Sequence, residues 1–370
     1  MGQPLRIGMV GAGRVSGAYL DMLTRLDGVR LTAVTDLDLE RAKAAAALTP
    51  GEVAVAASIT DLVGRQDVDI LLNLTIPAAH AEVALLALLA GKHVYSEKPL
   101  AATREEARDV LAAAQANGLR VACAPDTVLG TGLQTARKAL DDGLIGRPIA
   151  ATACMTTPGH ELWHPDPEFY YQPGGGPLLD MGPYYLSALV HLLGPVVRVT
   201  GAASRPRVER RIGSGPRAGQ RFPVEVPTHV TGVLEHADGA LTTLLMSFDI
   251  QAARLPSLEV HGTGGSLSVP DPNGFGGNVE LHRGGDWEVL PVSAGHRFGG
   301  RGIGLADLAD ALGAGRPHRA SGDLAAHVLD VMLTLLDAAR AGTSLLVAST
   351  CERPARVELT PQAPGTVPTA

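Results

Sequence analysis

Cysteine, surplus positive charge and long apolar runs are all scarce in this sequence of 370 residues. The three cysteines, Cys123, Cys154 and Cys351, are odd in number, far apart and without metal-ligand spacing, so neither a disulfide framework nor a metal site is expected. A formal net charge of -7 argues against nucleic acid or an anionic membrane as a partner. No apolar run has the length of a signal peptide or a membrane span, which predicts a cytoplasmic protein with a small-molecule partner.

The length and the order of apolar runs predict two domains of α/β class. A chain of this size exceeds what one core normally supports. From residue 5 to about residue 124, apolar runs such as LRIGMV and DILLNLT alternate with helical stretches such as REEARDVLAAAQANG. This alternation is typical of a Rossmann domain, a doubly wound parallel sheet with crossover helices. We assign residues 1–125 to it.

After Pro125 the pattern changes to helices followed by many consecutive strands. A helix is predicted through YYLSALVHLLG, and a hairpin is predicted where THVTGVLEH and ALTTLLMSFDI are joined by ADG. These features indicate an α+β domain with an open, mostly antiparallel sheet, assigned to residues 126–348. Residues 349–370 form a C-terminal extension that ends in a predicted disordered tail, TPQAPGTVPTA.

The first predicted strand ends in the turn GAGRVSG, which has the composition of a dinucleotide site. Gly11 and Gly13 permit a tight turn and a close approach to the backbone, and the following helix directs N–H groups at a pyrophosphate. Ser16 stands where the full fingerprint has its third glycine. The candidate cofactor contacts in this turn are Gly11, Gly13, Arg14 and Val15.

The second predicted strand, RLTAVTD, ends in an acidic residue at the position that reads the ribose. Asp36 can accept hydrogen bonds from a ribose diol and would repel a 2′-phosphate, which favours NAD. Arg41, further along the chain, could approach a 2′-phosphate, so NADP stays an alternative. Asp36 could also act as the N-cap of the helix LERAKAAA.

A strand followed directly by Glu97, Lys98 and Pro99 supplies the first candidate for catalysis. The carboxyl edge of a doubly wound sheet is where ligands bind. Pro99 restricts Lys98 to extended conformations, which holds the ammonium away from the strand end. This placement favours a functional lysine over a solvated surface charge.

With these residues the chain resembles the Gfo/Idh/MocA family of oxidoreductases, named after glucose-fructose oxidoreductase and inositol dehydrogenase. The resemblance extends from GAGRVSG through GKHVYSEKPLA to GGGPLLDMGPYYL. It implies that Thr75, Pro77 and His80 line the cofactor site, that Glu97 approaches the nicotinamide ribose and that Lys98 is catalytic. It also implies a homo-oligomer, a dimer or tetramer, formed through the open C-terminal sheet.

The chain departs from the family in its second motif, GGGPLLDMGPYY. Family members usually have an aspartate and, four residues later, a histidine that face the substrate, whereas this chain has Asp180 and Tyr184. Tyrosine has an ordinary pKa of about 10, which suits a general base poorly. Our hypothesis is that Lys98 lowers the pKa of Tyr184 while Asp180 holds the lysine or the substrate. If Asp180 caps a helix, Pro183 falls at its third position; Tyr184 could alternatively be a core aromatic.

A second candidate base lies in PGHELWHPDPEFYY, where His160 and His164 flank Trp163. An imidazole already has a suitable pKa. The two histidines could instead form a structural turn, and HPDP breaks a helix, which argues against shared metal ligation. Trp163 could pack against a sugar face or belong to the core, and Asp126 is a further polar candidate beside the nicotinamide.

The predicted function is hydride transfer between NAD(P) and a secondary hydroxyl or ketone of a sugar, glycoside or cyclitol. One alternative is an enzyme whose tightly bound NAD is recycled within each turnover. Another is a dinucleotide sensor without catalysis, made conceivable by the missing motif histidine but disfavoured by the presence of Lys98 and Asp180.

Overall fold

The structure is a computed structural model that describes residues 3–360. All but the first residue of the predicted disordered tail lies outside the described residues. Two compact units are formed from interleaved segments of the chain. The first contains residues 3–126, 300–337 and 346–354, and the second contains residues 127–299, 338–345 and 355–360. The boundaries assigned above stay a prediction.

The first unit is built on a sheet of six parallel strands, which confirms the doubly wound prediction. Its strands are β1 (Leu5–Val10), β2 (Val29–Thr35), β3 (Ala54–Val55), β4 (Ile70–Asn73), β5 (His93–Ser96) and β6 (Val121–Cys123). They lie in the order β3-β2-β1-β4-β5-β6. The order reverses between β1 and β4, and ligands bind beyond the carboxyl ends of strands at such a reversal. All four residues of β4 are buried, as its unbroken apolar sequence predicts.

Crossover helices cover both faces of this sheet. They are α1 (Ser16–Leu23), α2 (Leu39–Ala47), α3 (Ile59–Val63), α4 (His80–Leu89) and α5 (Arg104–Ala116). Capping fixes where several of them begin: the Ser58 hydroxyl caps α3, and Thr103 and Glu106 form a capping box on α5.

The second unit is built on a nine-stranded, mostly antiparallel sheet, as predicted. The helix α6 (Thr131–Asp141) comes first, the strand β7 (Pro148–Thr156) follows it, and the helix α7 (Pro177–Leu193) comes next. The remaining strands follow α7 along the chain: β8 (Val196–Ser204), β9 (Glu209–Arg211), β10 (Arg221–Pro223), β11 (His229–His236), β12 (Leu241–Ser247), β13 (Leu258–Gly262), β14 (Ser266–Val269), β15 (Glu280–His282), β16 (Glu288–Val289) and β17 (Leu345–Leu346). The order is β16-β15-β14-β13-β7-β12-β11-β8-β17, and β9 and β10 form a separate hairpin. The β11–β12 hairpin at ADG is confirmed, and β7 pairs with β12 in parallel.

One face of this sheet is covered by helices and the other is not. Val230 and Leu234 of β11 and Leu244 of β12 are fully buried, whereas Val233 between them is 42% exposed. The helix α7 packs against β7, β11 and β12, which places the core on that side. The period-two alternation of the strands therefore matches a half-covered sheet.

The helix α7 begins earlier than the sequence suggested. Its first residue is Pro177 and its N-cap is Gly176, so Asp180 lies in the first turn and the expected capping role for Asp180 is wrong. Pro183 accordingly lies inside the helix rather than at its third position. A proline at the first helical position needs no hydrogen bond from its nitrogen, which explains the earlier start.

The chain then returns to the first unit through α8 (Ile303–Ala314) and residues 322–337 of α9 (Gly322–Ala341). Leu305 and Leu308 of α8 join Ile7 and Met9 of β1 in one hydrophobic cluster. Within residues 3–360, no helix has both the length and the apolar character needed to cross a membrane.

Candidate active site

The turn after β1 leaves room for a ligand against its backbone. Gly11 has φ +93°, and a Cβ there would lie 2.6 Å from the carbonyl oxygen of Leu74, so only glycine fits. At Gly13, by contrast, an added Cβ would meet no described atom within 4 Å. That open space lies just before α1, where helix N–H groups attract an anion. The turn therefore fits a pyrophosphate, with Arg14 exposed beside it and Val15 half-buried at the N-cap position.

Asp36 joins this turn to the end of β2. Its Oδ2 accepts a 2.6 Å hydrogen bond from the Ala12 N–H, and its Oδ1 accepts one of 2.8 Å from the Asp38 N–H. The expected capping of α2 by Asp36 is wrong, because Asp38 is the N-cap and accepts from the Glu40 N–H. Arg41 pairs with Asp38 at 3.4 Å in an exposed position. Asp36 therefore bonds to the glycine turn, and Asp38 caps α2 in its place.

His80 fastens the loop after β4 to the loop after β5. It is the first residue of α4, and its ring is fully enclosed: Nδ1 lies 2.6 Å from the Pro99 carbonyl oxygen and Nε2 lies 3.0 Å from that of Thr75. The Thr75 hydroxyl donates to the Asn73 side chain at 2.6 Å. Pro77, the first residue of a short 3-10 turn, is exposed. The His80 ring therefore links the main chain after β4 to the main chain after β5, at the carboxyl edge of the sheet.

Glu97 is held rigidly at the carboxyl end of β5. Its side chain is buried, Oε1 accepts from the Tyr19 hydroxyl at 2.8 Å, and Oε2 accepts from the Lys98 N–H at 2.9 Å. Burial and the neighbouring Glu97 raise the pKa of Tyr19 well above its ordinary value, so the phenol keeps its proton and donates. Lys98 is half-buried, and the bond between it and Pro99 is cis. Tyr19 was not foreseen from the sequence.

Asp126 follows β6 and is completely buried. Its Oδ2 accepts hydrogen bonds from the N–H groups of Gly302 at 2.7 Å and Gly304 at 3.1 Å, at the start of α8. Burial raises the pKa of Asp126 above its ordinary value. The structure thus gives this residue a helix-capping contact, whereas its suggested position beside a nicotinamide stays a prediction.

In the second unit, the structure brings His160 and Asp180 together. His160 lies in a 3-10 turn (His160–Leu162) after β7, and its Nε2 is 3.0 Å from Oδ2 of Asp180 on α7. A carboxylate only accepts hydrogen bonds, so Nε2 carries the proton. Nδ1 is buried and has no hydrogen-bond partner within residues 3–360. The motif aspartate therefore has a histidine partner that comes from another loop.

Aromatic rings surround this histidine. The His160 ring centroid lies 4.3 Å from that of Phe248 and 4.5 Å from that of Tyr170. Trp163 is next to it at 5.3 Å but is 50% exposed, so the alternative of a core role for Trp163 is wrong. His164 is half-buried, and its Nδ1 accepts from the Asp166 N–H at 3.1 Å.

A cavity of about 250 Å³ opens beside His160. Met155 and Met181 give it apolar walls, while the Tyr185 hydroxyl donates to Asp271 at 3.2 Å. Tyr184, the neighbouring residue, is 4% exposed and lies one helical turn after Asp180. Cavities that combine apolar walls with a few polar groups are typical ligand sites.

A buried cluster of charged residues packs against the His160 loop, and the sequence did not predict it. The Arg210 guanidinium pairs with Glu161 at 2.6 Å and with Asp249, and the Tyr171 hydroxyl donates to Glu161. Burial and the contact with Glu161 raise the pKa of Tyr171, which keeps the phenol protonated. The partners are far apart in sequence and carry no local motif, so only the fold reveals them.

The parallel sheet, the open glycine turn and the acidic end of β2 are the features of a dinucleotide-binding Rossmann domain. Residues 5–124 match the model of the oxidoreductase family with an NAD-binding Rossmann fold, and residues 133–268 match that of the GFO/IDH/MocA C-terminal domain. The chain belongs to the Gfo/Idh/MocA family, and its first unit contains an NAD-binding Rossmann domain.

Three relatives are similar to this chain over most of its length. It is 31% identical over 291 residues to dTDP-3,4-didehydro-2,6-dideoxy-alpha-D-glucose 3-reductase of Streptomyces antibioticus, covering 75% of this chain and 80% of that relative. It is 31% identical to 1,5-anhydro-D-fructose reductase of Ensifer adhaerens, with coverage of 71% and 74%. It is 28% identical to inositol 2-dehydrogenase 3 of Saccharopolyspora erythraea, with coverage of 77% and 80%. The solved structure of an NAD binding oxidoreductase from Klebsiella pneumoniae has the same fold, with a TM-score of 0.82, 24% identity and coverage of 94% and 100%.

Proposed function

We propose that this protein is an NAD-dependent dehydrogenase or reductase that moves hydride between the nicotinamide and a secondary hydroxyl or ketone carbon of a sugar, glycoside or cyclitol. The hydrogen-bonded pair of His160 and Asp180, beside a cavity with polar and apolar walls, is the observation that supports it most. The names of the three relatives above, which act on a nucleotide-linked sugar, an anhydro sugar and inositol, support the substrate class.

NAD is proposed over NADP because of Asp36. Its carboxylate lies at the end of β2, half-buried and already hydrogen-bonded to the glycine turn, where a 2′-phosphate would meet a negative charge. Bound NAD supplies a carbon that accepts or returns hydride. Gly11, Gly13, Arg14 and Val15 would hold its phosphates, and Thr75, Pro77, His80 and Glu97 would line the rest of its site.

The proton is handled by groups of α7 and by Lys98. In the oxidation direction the hydroxyl loses its proton as hydride leaves the same carbon, so a base must face that oxygen. We assign the base to Tyr184, with Asp180 orienting the substrate hydroxyl, His160 fixing Asp180 through Nε2–H, and Lys98 stabilising the developing oxygen charge. Asp126, Trp163 and His164 are assigned to substrate binding, with His164 as the alternative base.

A panel of sugars and polyols, assayed with NAD and with NADP at about 340 nm, tests this function. We expect reduction of NAD by at least one compound, and a weaker response with NADP. Binding of NAD without any absorbance change would instead favour a sensor. Tightly bound cofactor in the purified protein, with no steady release of NADH, would favour recycling within each turnover.

Two substitutions distinguish Tyr184 from His164 as the catalytic base. Tyr184→Phe should abolish turnover while NAD affinity is unchanged, because the phenol oxygen is lost and the ring remains. His164→Asn should retain most turnover. The reverse result, with Tyr184→Phe active and His164→Asn inactive, would transfer the role to His164.

We also propose a homo-oligomer formed through the uncovered face of the nine-stranded sheet. Val233 is 42% exposed there and Leu241 is 49% exposed, which gives this face apolar area that a second copy could bury. Light scattering should give a mass of two or four chains, and a single-chain mass at micromolar concentration would reject the proposal.

A further inference from the structure

The guanidinium of Arg210 holds the loop that carries His160 through a buried ion pair with Glu161. The side chain of Arg210 is 1% exposed and that of Glu161 is 4% exposed, so their 2.6 Å ion pair is shielded from water. Arg210 belongs to the separate hairpin formed by β9 and β10, which is distant in sequence from the His160 loop. The β9–β10 hairpin therefore reaches the interior of the unit, because its Arg210 forms a buried ion pair with the His160 loop.

The same guanidinium touches the chain on both sides of His160. Nη1 donates to the Pro158 carbonyl oxygen at 3.1 Å and to Glu161, while Nη2 donates to the Phe248 carbonyl oxygen at 2.8 Å. Phe248 is the residue whose ring lies 4.3 Å from the imidazole of His160. Arg210 therefore holds the residues before and after the histidine and one wall of its ring.

A relay of hydrogen bonds reaches the backbone of His160 itself. Glu161 accepts from Arg210 and from the Tyr171 hydroxyl, and the Tyr171 oxygen accepts from the His160 N–H at 3.0 Å. The guanidinium also lies over the Tyr171 ring, 4.9 Å from its centroid. The histidine is consequently fixed through its main chain, independently of its contact with Asp180.

The space inside the cluster is filled up to the backbone. Gly159, directly before His160, has φ +127°, and a Cβ there would lie 2.3 Å from Nη1 of Arg210 and 2.2 Å from Oε2 of Glu161. No side chain fits between the loop and the ion pair, so the backbone at Gly159 lies directly against the guanidinium and the carboxylate.

We propose that Arg210 is a positioning residue for the reaction: it sets the place and orientation of His160, and through it those of Asp180. This inference rests on the proposed function of that pair. Arginine suits the role because its planar fork bonds two carboxylates and two carbonyl oxygens at once, which the single ammonium of lysine cannot reproduce.

The test is Arg210→Lys, which keeps the charge and loses the fork. We expect kcat to fall by about tenfold to a hundredfold, since small displacements of catalytic groups have effects of that size. The Kd for NAD should not change, because the glycine turn is untouched. The pH profile of kcat should also change shape, whereas a mere loss of folded enzyme would scale kcat equally at every pH.

Nitrogen NMR of the His160 ring gives a readout that does not depend on activity. The wild-type ring should show one tautomer with the proton on Nε2, and Arg210→Lys should show exchange between tautomers. An enzyme that fails the substrate panel but shows this NMR change would reject the proposed function and support the positioning role.

Arg221→Lys is the matched control, because Arg221 lies on the same hairpin in an exposed 2.6 Å pair with Glu209. It should leave kcat and the NMR spectrum unchanged. If Arg210→Lys does not fold, Glu161→Gln probes the same relay with a side chain of equal shape and should give the same changes. A folded variant at either position with the wild-type kcat, pH profile and tautomer would overturn the proposal.

Discussion

At the scale of single residues, two neighbouring carboxylates have separate tasks. Asp36 accepts from the Ala12 N–H in the glycine turn, and Asp38 accepts from the Glu40 N–H at the start of α2. Asp36 and Asp38 both lie between β2 and α2, so the sequence alone did not show which of the two caps the helix. The structure assigns the cap to Asp38 and leaves Asp36 facing the glycine turn.

Asp36→Ala should therefore weaken NAD binding and narrow the preference for NAD over NADP. A hydrogen bond to a charged group contributes roughly 1.5–3 kcal/mol, so the Kd for NAD should rise by about tenfold to a hundredfold. Titration calorimetry with both dinucleotides measures it. Asp38→Ala is the control and should lower stability with little change in either Kd; an unaltered NAD to NADP ratio in Asp36→Ala would contradict the assignment.

Other residue roles could be foreseen only in part. Glu97 and Lys98 were proposed as site residues because they follow an apolar strand directly, and Asp180 because it belongs to a motif; their roles stay predictions. The partners Tyr19, Arg210 and Glu161 were missed, since their contacts join segments far apart in the chain. Burial of a charged residue depends on the whole fold, and no short pattern encodes it.

At the scale of elements, strand pattern and turn chemistry predicted both sheets. The ADG turn predicted the β11–β12 hairpin, and the unbroken run of β4 predicted a strand covered on both faces. The start of α7 was misplaced because Asp180 looked like a cap, although Pro177 carried the correct signal. The β9–β10 hairpin went unpredicted, since its strands have three residues each.

The capping box on α5 gives a prediction at this scale. The Thr103 side chain accepts from the Glu106 N–H, and Glu106 accepts from the Thr103 N–H at 3.0 Å. Thr103→Ala should lower the free energy of unfolding by about 1 kcal/mol, the usual effect of losing an N-cap. Urea unfolding measures it, Thr103→Ser should retain most of the stability, and equal losses in both variants would show that the hydroxyl is unimportant.

At the scale of the whole molecule, buried histidines link stability to pH. Burial lowers the pKa of His236 and of His318 from the ordinary value of 6.5. Between the lowered pKa and 6.5 the unfolded chain binds more protons than the folded one, so acid favours unfolding. The stabilisation is complete above pH 6.5 and is lost as the pH falls through the folded-state pKa.

Urea unfolding between roughly pH 7.5 and pH 5 should show the free energy of unfolding falling, by up to about 1.4 kcal/mol per pH unit for each histidine. His236→Gln removes one titrating group and should make the dependence shallower. A free energy of unfolding that stayed constant or rose toward pH 5 would disagree with this account.

The first unit is assembled from segments that the ribosome delivers at different times. The Cys123 N–H on β6 donates to the Ala320 carbonyl oxygen at 3.0 Å, and Asp126 bonds Gly302 across 176 positions of the chain. At about 5–20 residues per second, synthesis of the intervening stretch takes on the order of ten seconds or longer. For that interval the nascent Rossmann sheet lacks the residues that pair with β6 and complete its core, and unpaired strand edges with exposed apolar surface are prone to aggregation.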